Sequence, residues 1–131
     1  MDQNPLVIDE IEAGKELIQR LNDRFPVIAA CWLRDDSGGG RNLYIALDEL
    51  TRPKEVLANA EVRRIADEVK DHYIDPFWVS IIEPTHPIAK AVTEIYRRFP
   101  GRRPPSRSNE YGFGGVGVAE LYIYPPLPKK P

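Results

Sequence analysis

The fold is decided by Val27-Ile28-Ala29-Ala30-Cys31-Trp32-Leu33, an almost uninterrupted apolar run with the character of a strand. A strand with one buried face alternates apolar and polar side chains, whereas a strand covered on both faces is apolar throughout. The run therefore predicts a strand in a sheet that is covered on both sides. Cys31, the chain's one cysteine, is expected to be a small buried hydrophobe. Its local sequence does not supply the base and the exposed, electropositive setting that a reactive thiol needs.

A second strand follows a segment rich in turn residues. Leu43 to Leu47 is apolar, and the segment from Arg34 to Asn42 is rich in Asp, Ser and Gly. Two apolar runs joined by a glycine-rich loop predict an antiparallel hairpin. Backbone N–H groups at Gly38-Gly39-Gly40 can in principle cradle an anion. Asp35-Asp36 would repel one, and the pair offers too few oxygen ligands for a hard cation, so a hairpin tip is the prediction.

Apolar residues at helical spacing predict three helices. The first begins at Asp9, which can cap it, and ends at Pro26, which cannot continue it. The second lies between Arg52 and His72, and the third presents an apolar face from Ile88 to Phe99. Gly14 is on the apolar side of the first helix, where it predicts a close approach of a neighbouring element.

Two further apolar runs predict the remaining strands. Phe77 to Ile82 is apolar on both faces and is expected in the centre of the sheet, and Val116 to Tyr124 forms the last strand. The helix between these two strands is long enough for a right-handed parallel crossover. We therefore predict one α/β domain, on the borderline of α+β, over residues 1–124 in the order α-β-β-α-β-α-β. Its four-stranded mixed sheet would carry the helices, and residues 125–131 would form a Pro/Lys-rich tail.

The charge of the chain is unevenly distributed. Residues 1–83 carry 10 Lys/Arg against 17 Asp/Glu, a net of −7, and residues 84–131 carry 8 against 3, a net of +5. Much of the positive charge lies in residues 96–115, which we call the arginine-rich segment. Such asymmetry is typical of a surface for an anionic partner, and arginine forks match carboxylates and phosphates. The candidate binding residues are Arg97, Arg98, Arg102, Arg103, Arg107, Tyr111 and Phe113.

Four interpretations of the arginine-rich segment stay open: a solvated loop, a protein interface, a site for single-stranded RNA or DNA, and a small-anion site. Arg97 and Arg98 end a helix, where cations complement the helix dipole. Arg102, Arg103 and Arg107 have no such local explanation. The net charge of −2 and the pI of 5.7 count against a dedicated nucleic-acid binder. The favoured partner is therefore a macromolecule with an acidic surface, with a protein ahead of a nucleic acid.

The sequence offers little for catalysis. His72 and His86 are the only histidines. His72 lies near a helix end, and His86 lies at a strand-to-helix junction, where it can bind a ligand or cap the helix. Gly112 to Gly117 matches G-x-G-x-x-G, but a strand follows it where a dinucleotide site needs a helix. We predict a non-catalytic binding module with no cofactor and no metal, and a small enzyme using His86 remains the third hypothesis.

Further expectations concern the environment of the protein. The first residues lack the basic and apolar regions of a signal peptide, and no apolar run approaches the ~20 residues that span a bilayer. A cytoplasmic location without membrane contact is therefore expected. Pro125 to Lys130 fits the pattern of an SH3 ligand, although a disordered terminus is the favoured interpretation. Strands that are apolar on both faces also leave a homodimer open, in which a second copy covers one face of the sheet.

Four short segments carry a resemblance to a known group of proteins. They are Ala29-Ala30-Cys31-Trp32, Leu43-Tyr44-Ile45-Ala46, Ile74-Asp75-Pro76-Phe77 and Leu121-Tyr122-Ile123-Tyr124-Pro125. Over residues 25–125 the pattern resembles that of small uncharacterised bacterial proteins. The resemblance implies a single bacterial domain. That family has no established activity, so the resemblance assigns no role to any residue.

Overall fold

The computed structural model describes residues 8–35, 41–69, 75–98 and 118–127. These residues form three helices, α1 (Ile8–Asn22), α2 (Arg52–Val69) and α3 (Pro87–Arg98). They also form four strands, β1 (Val27–Asp35), β2 (Asn42–Leu47), β3 (Val79–Ile82) and β4 (Val118–Ile123). A short 3-10 turn, Pro76–Trp78, leads into β3. The predicted order α-β-β-α-β-α-β is confirmed.

The four strands make one mixed sheet in the order β3-β2-β1-β4. β1 runs antiparallel to both β2 and β4, and β2 runs parallel to β3. The predicted hairpin of the first two strands is confirmed. β3 and β4 run in the same direction at opposite ends of the strand order, so the chain crosses the sheet through α3 to connect them.

The prediction that Phe77 to Ile82 lies in the centre of the sheet is wrong. β3 has only β2 beside it in the described part of the chain, and Phe77 and Trp78 belong to the turn before the strand. The segment is apolar for a different reason. Val79 and Ile81 face one core cluster and Ile82 faces the other, so an outer strand is buried on both faces.

Helices cover both faces of the sheet and make a three-layer structure. Ala30 and Trp32 of β1 pack in a cluster with α1 and α2, and Cys31 and Leu33 pack in a second cluster with α3. The strand side chains alternate between the two clusters, because successive residues of a strand point to opposite faces. The prediction that β1 is covered on both faces is confirmed. The covering helices belong to the same chain, so burial of the sheet faces does not require a second copy.

Individual residues show why the elements begin and end where they do. α1 begins at Ile8, so Asp9 lies inside the first turn and is not the residue that precedes the helix. The side chain of Asn22 accepts a hydrogen bond from the backbone N–H of Val27 at 2.9 Å and joins the end of α1 to the start of β1. Cys31 is fully buried, and this burial raises the pKa of its thiol to about 12. The prediction that Cys31 is a small buried side chain is confirmed.

None of the helices in the described ranges combines the length and the apolarity that a membrane span requires.

Candidate functional site

The structure describes two of the predicted binding residues. Arg97 and Arg98 form the last turn of α3, and both are exposed. The guanidinium of Arg97 donates to the carboxylate of Glu94, one turn earlier on the same helix. Cations at this end of a helix complement its dipole, as the sequence predicts. The other five candidates lie outside the described residues: Arg102, Arg103, Arg107, Tyr111 and Phe113.

His86 caps α3. Its Nδ1 atom accepts a hydrogen bond from the backbone N–H of Ile88 at 3.1 Å, and its backbone carbonyl accepts from Lys90 at 3.0 Å. The neutral imidazole therefore carries its proton on Nε2. The ring lies 6.2 Å from that of Tyr44, in a tilted arrangement. Of the two roles that the sequence leaves open for His86, the structure shows the capping role.

Three other candidates from the sequence lie in residues that the structure does not describe. They are His72, the glycines at 38–40 and the segment from Gly112 to Gly117. Within the described ranges, no group of three His, Cys, Asp or Glu side chains is arranged to hold a metal ion.

The described residues form a groove between α1 and β4, which we call the α1–β4 groove. Its volume is about 530 Å³, within the range of ordinary ligand sites. One wall is a stripe along α1, the floor comes from β4 and the residue after it, and the chain beyond β4 closes one end. The lining residues are Ile11, Glu12, Lys15, Ile18, Gln19, Tyr122, Tyr124, Pro125, Pro126 and Leu127.

Tyr124 is a structural residue of the groove floor. Its hydroxyl donates to the backbone carbonyl of Ile11 at 2.7 Å and accepts from Nε1 of Trp32 at 2.8 Å. Burial raises the pKa of Tyr124 well above its usual range, so the phenol stays neutral. The hydroxyl joins α1, β1 and the end of β4 at one buried point. Both of its hydrogen-bonding capacities are used within the protein, so Tyr124 shapes the groove without offering a free polar group.

Tyr122 is different, because its hydroxyl has no hydrogen-bond partner among the described residues. Its side chain is only 6% exposed and packs edge-on against Tyr124, with ring centroids 5.1 Å apart. Among the residues that the structure describes, none forms a hydrogen bond with the Tyr122 hydroxyl. Tyr122 is a lining residue of the groove. Its hydroxyl is a polar group available to an occupant.

A buried cluster of charges lies beside Tyr122 on the same face of the sheet. Arg41, only 3% exposed, donates to Glu10 of α1 at 3.0 Å and to Glu120 of β4 at 2.8 Å. Nε of Arg34 lies 3.8 Å from the same Glu120 carboxylate. These ion pairs among the described residues hold the α1 wall of the groove to its β4 floor. Arg41 lies in the predicted turn segment, directly before β2, and its burial was not predicted.

The groove was missed by sequence reasoning, although part of it had a signal. Tyr122 and Tyr124 are two apart in a predicted strand, so they share a face. The local sequence does not indicate that a groove would remain between α1 and that face. It also does not indicate that Arg41 would pair with two carboxylates that are distant in the sequence. These features depend on how helices and strands pack, which residue spacing does not encode.

Comparison with known proteins gives no further guidance: no family model, no curated protein and no solved structure matches the chain. The resemblance to small bacterial proteins stays a prediction.

Proposed function

We propose that this chain is a non-catalytic binding module that engages an acidic protein partner through its arginine-rich segment. The observation that supports the proposal is the position of Arg97 and Arg98. Both are exposed in the last turn of α3, and they lead directly into Arg102, Arg103 and Arg107. Helix α3 is anchored by an apolar face that includes Ile88, Ala89 and Val92, so it presents its two terminal arginines on a rigid support.

Several groups that catalysis could use have structural roles in the described residues. Cys31 is buried in the core and His86 caps a helix. The buried carboxylate of Glu61 pairs with Arg24 and Arg64, and the nearly buried Glu10 and Glu120 pair with Arg41. A general acid or base must be free to exchange its proton with a substrate. This distribution supports binding rather than catalysis as the function.

The charge balance favours a protein over a nucleic acid. The positive net charge is confined to residues 84–131, and the remainder of the chain would repel an extended polyanion. An acidic patch on a protein needs only a local basic surface, with aromatic side chains such as Tyr111 and Phe113 beside the arginines. The proposal places the module in the cytoplasm, as the sequence predicts, and in a bacterium, as the resemblance implies.

The test is quantitative capture from native host lysate, followed by titration of the purified captured protein. The decisive variants are Arg97/Arg98→Ala, which removes two exposed side chains, and Arg102/Arg103/Arg107→Ala. Arg52/Arg63→Ala is a matched control, because it also removes exposed helical arginines. We expect the two decisive variants to lose affinity while the control binds as the original chain does. Equal affinity in all four proteins would refute the proposal.

Single-stranded RNA or DNA is the alternative ligand for the same arginines. Neutralising phosphates releases counterions, so nucleic-acid affinity falls steeply as salt rises. A mobility-shift titration with mixed oligonucleotides at low and physiological salt separates the two. A salt-sensitive shift that the triple arginine variant abolishes would replace the protein partner with a nucleic acid. No shift at low salt would leave the protein partner in first place.

A further inference from the structure

We propose that β4 pairs with β4 of a second copy of this chain, so that two sheets join across a two-fold axis and two α1–β4 grooves become one shared cleft. The proposal is independent of the arginine-rich segment. It rests on the position of β4, on the direction of its backbone groups and on the hydroxyl of Tyr122, which has no hydrogen-bond partner among the described residues.

β4 is an outer strand with the composition of an inner one. In the described part of the chain it pairs with β1 alone. Its side chains are nonetheless buried on both faces: Tyr122, on the α1 side, is 6% exposed, and Ile123, on the α3 side, is 2% exposed. Proteins usually protect such edges with charges, prolines or very short strands, because an unprotected edge recruits another strand. Glu120, the charge near the start of β4, is already engaged by Arg41 and does not protect the edge.

The register of β4 shows which backbone groups point away from β1. The N–H of Tyr124 donates to the carbonyl of Ala30 at 3.1 Å, and the pairing continues without a shift from Ile123 to Glu120. In an antiparallel pair, successive residues alternate between facing the partner and facing away. Tyr122 therefore faces β1 as Tyr124 does, and the N–H and C=O groups of Leu121 and Ile123 point outward.

An antiparallel copy of β4 fits these groups. When the two-fold axis passes through Tyr122, Leu121 lies opposite Ile123 of the second copy, and each pair exchanges both of its N–H···O bonds. Glu120 then lies opposite Tyr124 of the second copy, so no like charges meet. Pro125 has no N–H to donate and ends the pairing.

The same register accounts for Tyr122. Directly opposed side chains of an antiparallel pair have Cβ atoms about 5 Å apart, so the two Tyr122 rings would lie side by side. Each hydroxyl would gain the other as a partner at the centre of the cleft. Every described lining residue of the groove belongs to α1, to β4 or to the chain just after β4. The second copy would therefore complete the site on the side where the described residues provide no wall.

The first experiment is sedimentation of the full chain from micromolar to millimolar concentration, combined with amide hydrogen exchange. We expect a reversible dimer. The amides of Leu121 and Ile123 should gain at least about tenfold protection as the dimer fraction rises with concentration. The Tyr122 amide is the internal control and should be protected at every concentration, because it bonds to β1. A monomer throughout the range would overturn the proposal, and so would a dimer in which the Leu121 and Ile123 amides stay unprotected.

Three variants test the interface directly. Ile123→Pro removes an outward donor, and Ile123→Ala removes a similar part of the side chain but keeps the N–H. We expect the alanine variant to dimerise and the proline variant, with its helix content checked by circular dichroism, to be monomeric. Phe77→Ser is the control. The Phe77 side chain is 85% exposed and lies next to β3, at the opposite edge of the sheet, so its removal should leave the dimer intact. A dimer lost only in Phe77→Ser would overturn the proposal, and if Ile123→Pro fails to fold, the exchange measurement alone decides.

Discussion

The hydroxyl of Tyr124 lies against Gly14, in the space that a side chain at position 14 would occupy. A Cβ atom built on Gly14 overlaps that hydroxyl and lies 3.0 Å from Nε1 of Trp32. The sequence predicted a close approach at Gly14 from its place on the apolar side of α1. The structure confirms the approach and identifies the neighbour. The absence of a side chain here lets the Tyr124 hydroxyl reach the Ile11 carbonyl and the Trp32 indole together.

We predict that Gly14→Ala destabilises the protein. At an ordinary helical site the change to alanine would stabilise by about 1 kcal/mol, because alanine is the better helix former. Here the added methyl must displace a buried tyrosine, and overpacking of this kind costs about 1–3 kcal/mol. Urea unfolding followed by circular dichroism measures the difference.

The control for Gly14→Ala is the same change in a Tyr124→Phe background. Tyr124→Phe alone should cost about 1–3 kcal/mol, because it leaves the buried Trp32 N–H without its acceptor. Once the hydroxyl is gone, the alanine should cost much less. Additive costs in the double variant would show that Gly14 and Tyr124 are not coupled.

His86→Ala should destabilise the protein by about 1 kcal/mol, the usual cost of removing a helix cap. His86→Asn should retain most of the stability, because asparagine can accept the same bond from the backbone N–H of Ile88. Chemical unfolding measures the free energy of unfolding of the two variants and of the original chain. If alanine and asparagine are equally stable, the imidazole does not contribute to capping.

Arg41→Met should cost about 3–5 kcal/mol, because it removes a buried cation that pairs with both Glu10 and Glu120, whose carboxylates are nearly buried. Arg97→Ala removes an exposed pair and should cost at most about 1 kcal/mol. A variant that also carries Glu10→Gln and Glu120→Gln should recover much of the loss. Calorimetric unfolding of these variants and the original chain measures the differences in stability. An Arg41→Met cost as small as that of Arg97→Ala would contradict the view that the cluster joins α1 to β4.

The Glu61 carboxylate should make stability depend on pH in the acid range. Hydrogen bonds and charge from Arg64, supported by Arg24, hold the pKa of Glu61 below its usual range and outweigh burial, which raises it. A depressed pKa means that the folded state binds this proton more weakly than the unfolded state does. The stabilisation is therefore complete above about pH 4.3, the ordinary value for glutamate, and is lost as pH falls through the lower folded-state value.

Urea unfolding over a pH series tests this dependence. Glu61→Gln should lose about 1 kcal/mol at neutral pH and should show a flatter acid limb than the original chain. Glu94→Gln is the control. It removes an exposed carboxylate that pairs with Arg97 within α3, and it should change the stability little at any pH. An unchanged acid limb in Glu61→Gln would contradict the assignment.

Much of the fold follows from residue patterns. The continuous apolar run in β1 predicts two covered faces, and the glycine-rich connection predicts the hairpin with β2. The edge position of β3 does not follow from its sequence. A strand that is covered on both faces has the same composition in the centre and at the edge, and only pairing with β2 and β1 decides between them.

The candidate site was much less predictable. The arginine-rich segment is evident from charge alone. The predicted third helix also places Arg97 and Arg98 correctly at its end. The α1–β4 groove and the Arg41 cluster arise from contacts between residues far apart in the chain, such as Arg41 with Glu120 and Tyr124 with Ile11. No local pattern encodes such contacts, because each partner alone is an ordinary surface or strand residue.

The central claim is that the arginine-rich segment binds an acidic protein surface, and the most direct test is titration of the captured partner against four proteins. These are the original chain, Arg97/Arg98→Ala, Arg102/Arg103/Arg107→Ala and the control Arg52/Arg63→Ala. The account predicts strong loss of affinity in the two variants of the arginine-rich segment and none in the control. Equal affinity in all four, or an equal loss in the control, would contradict it.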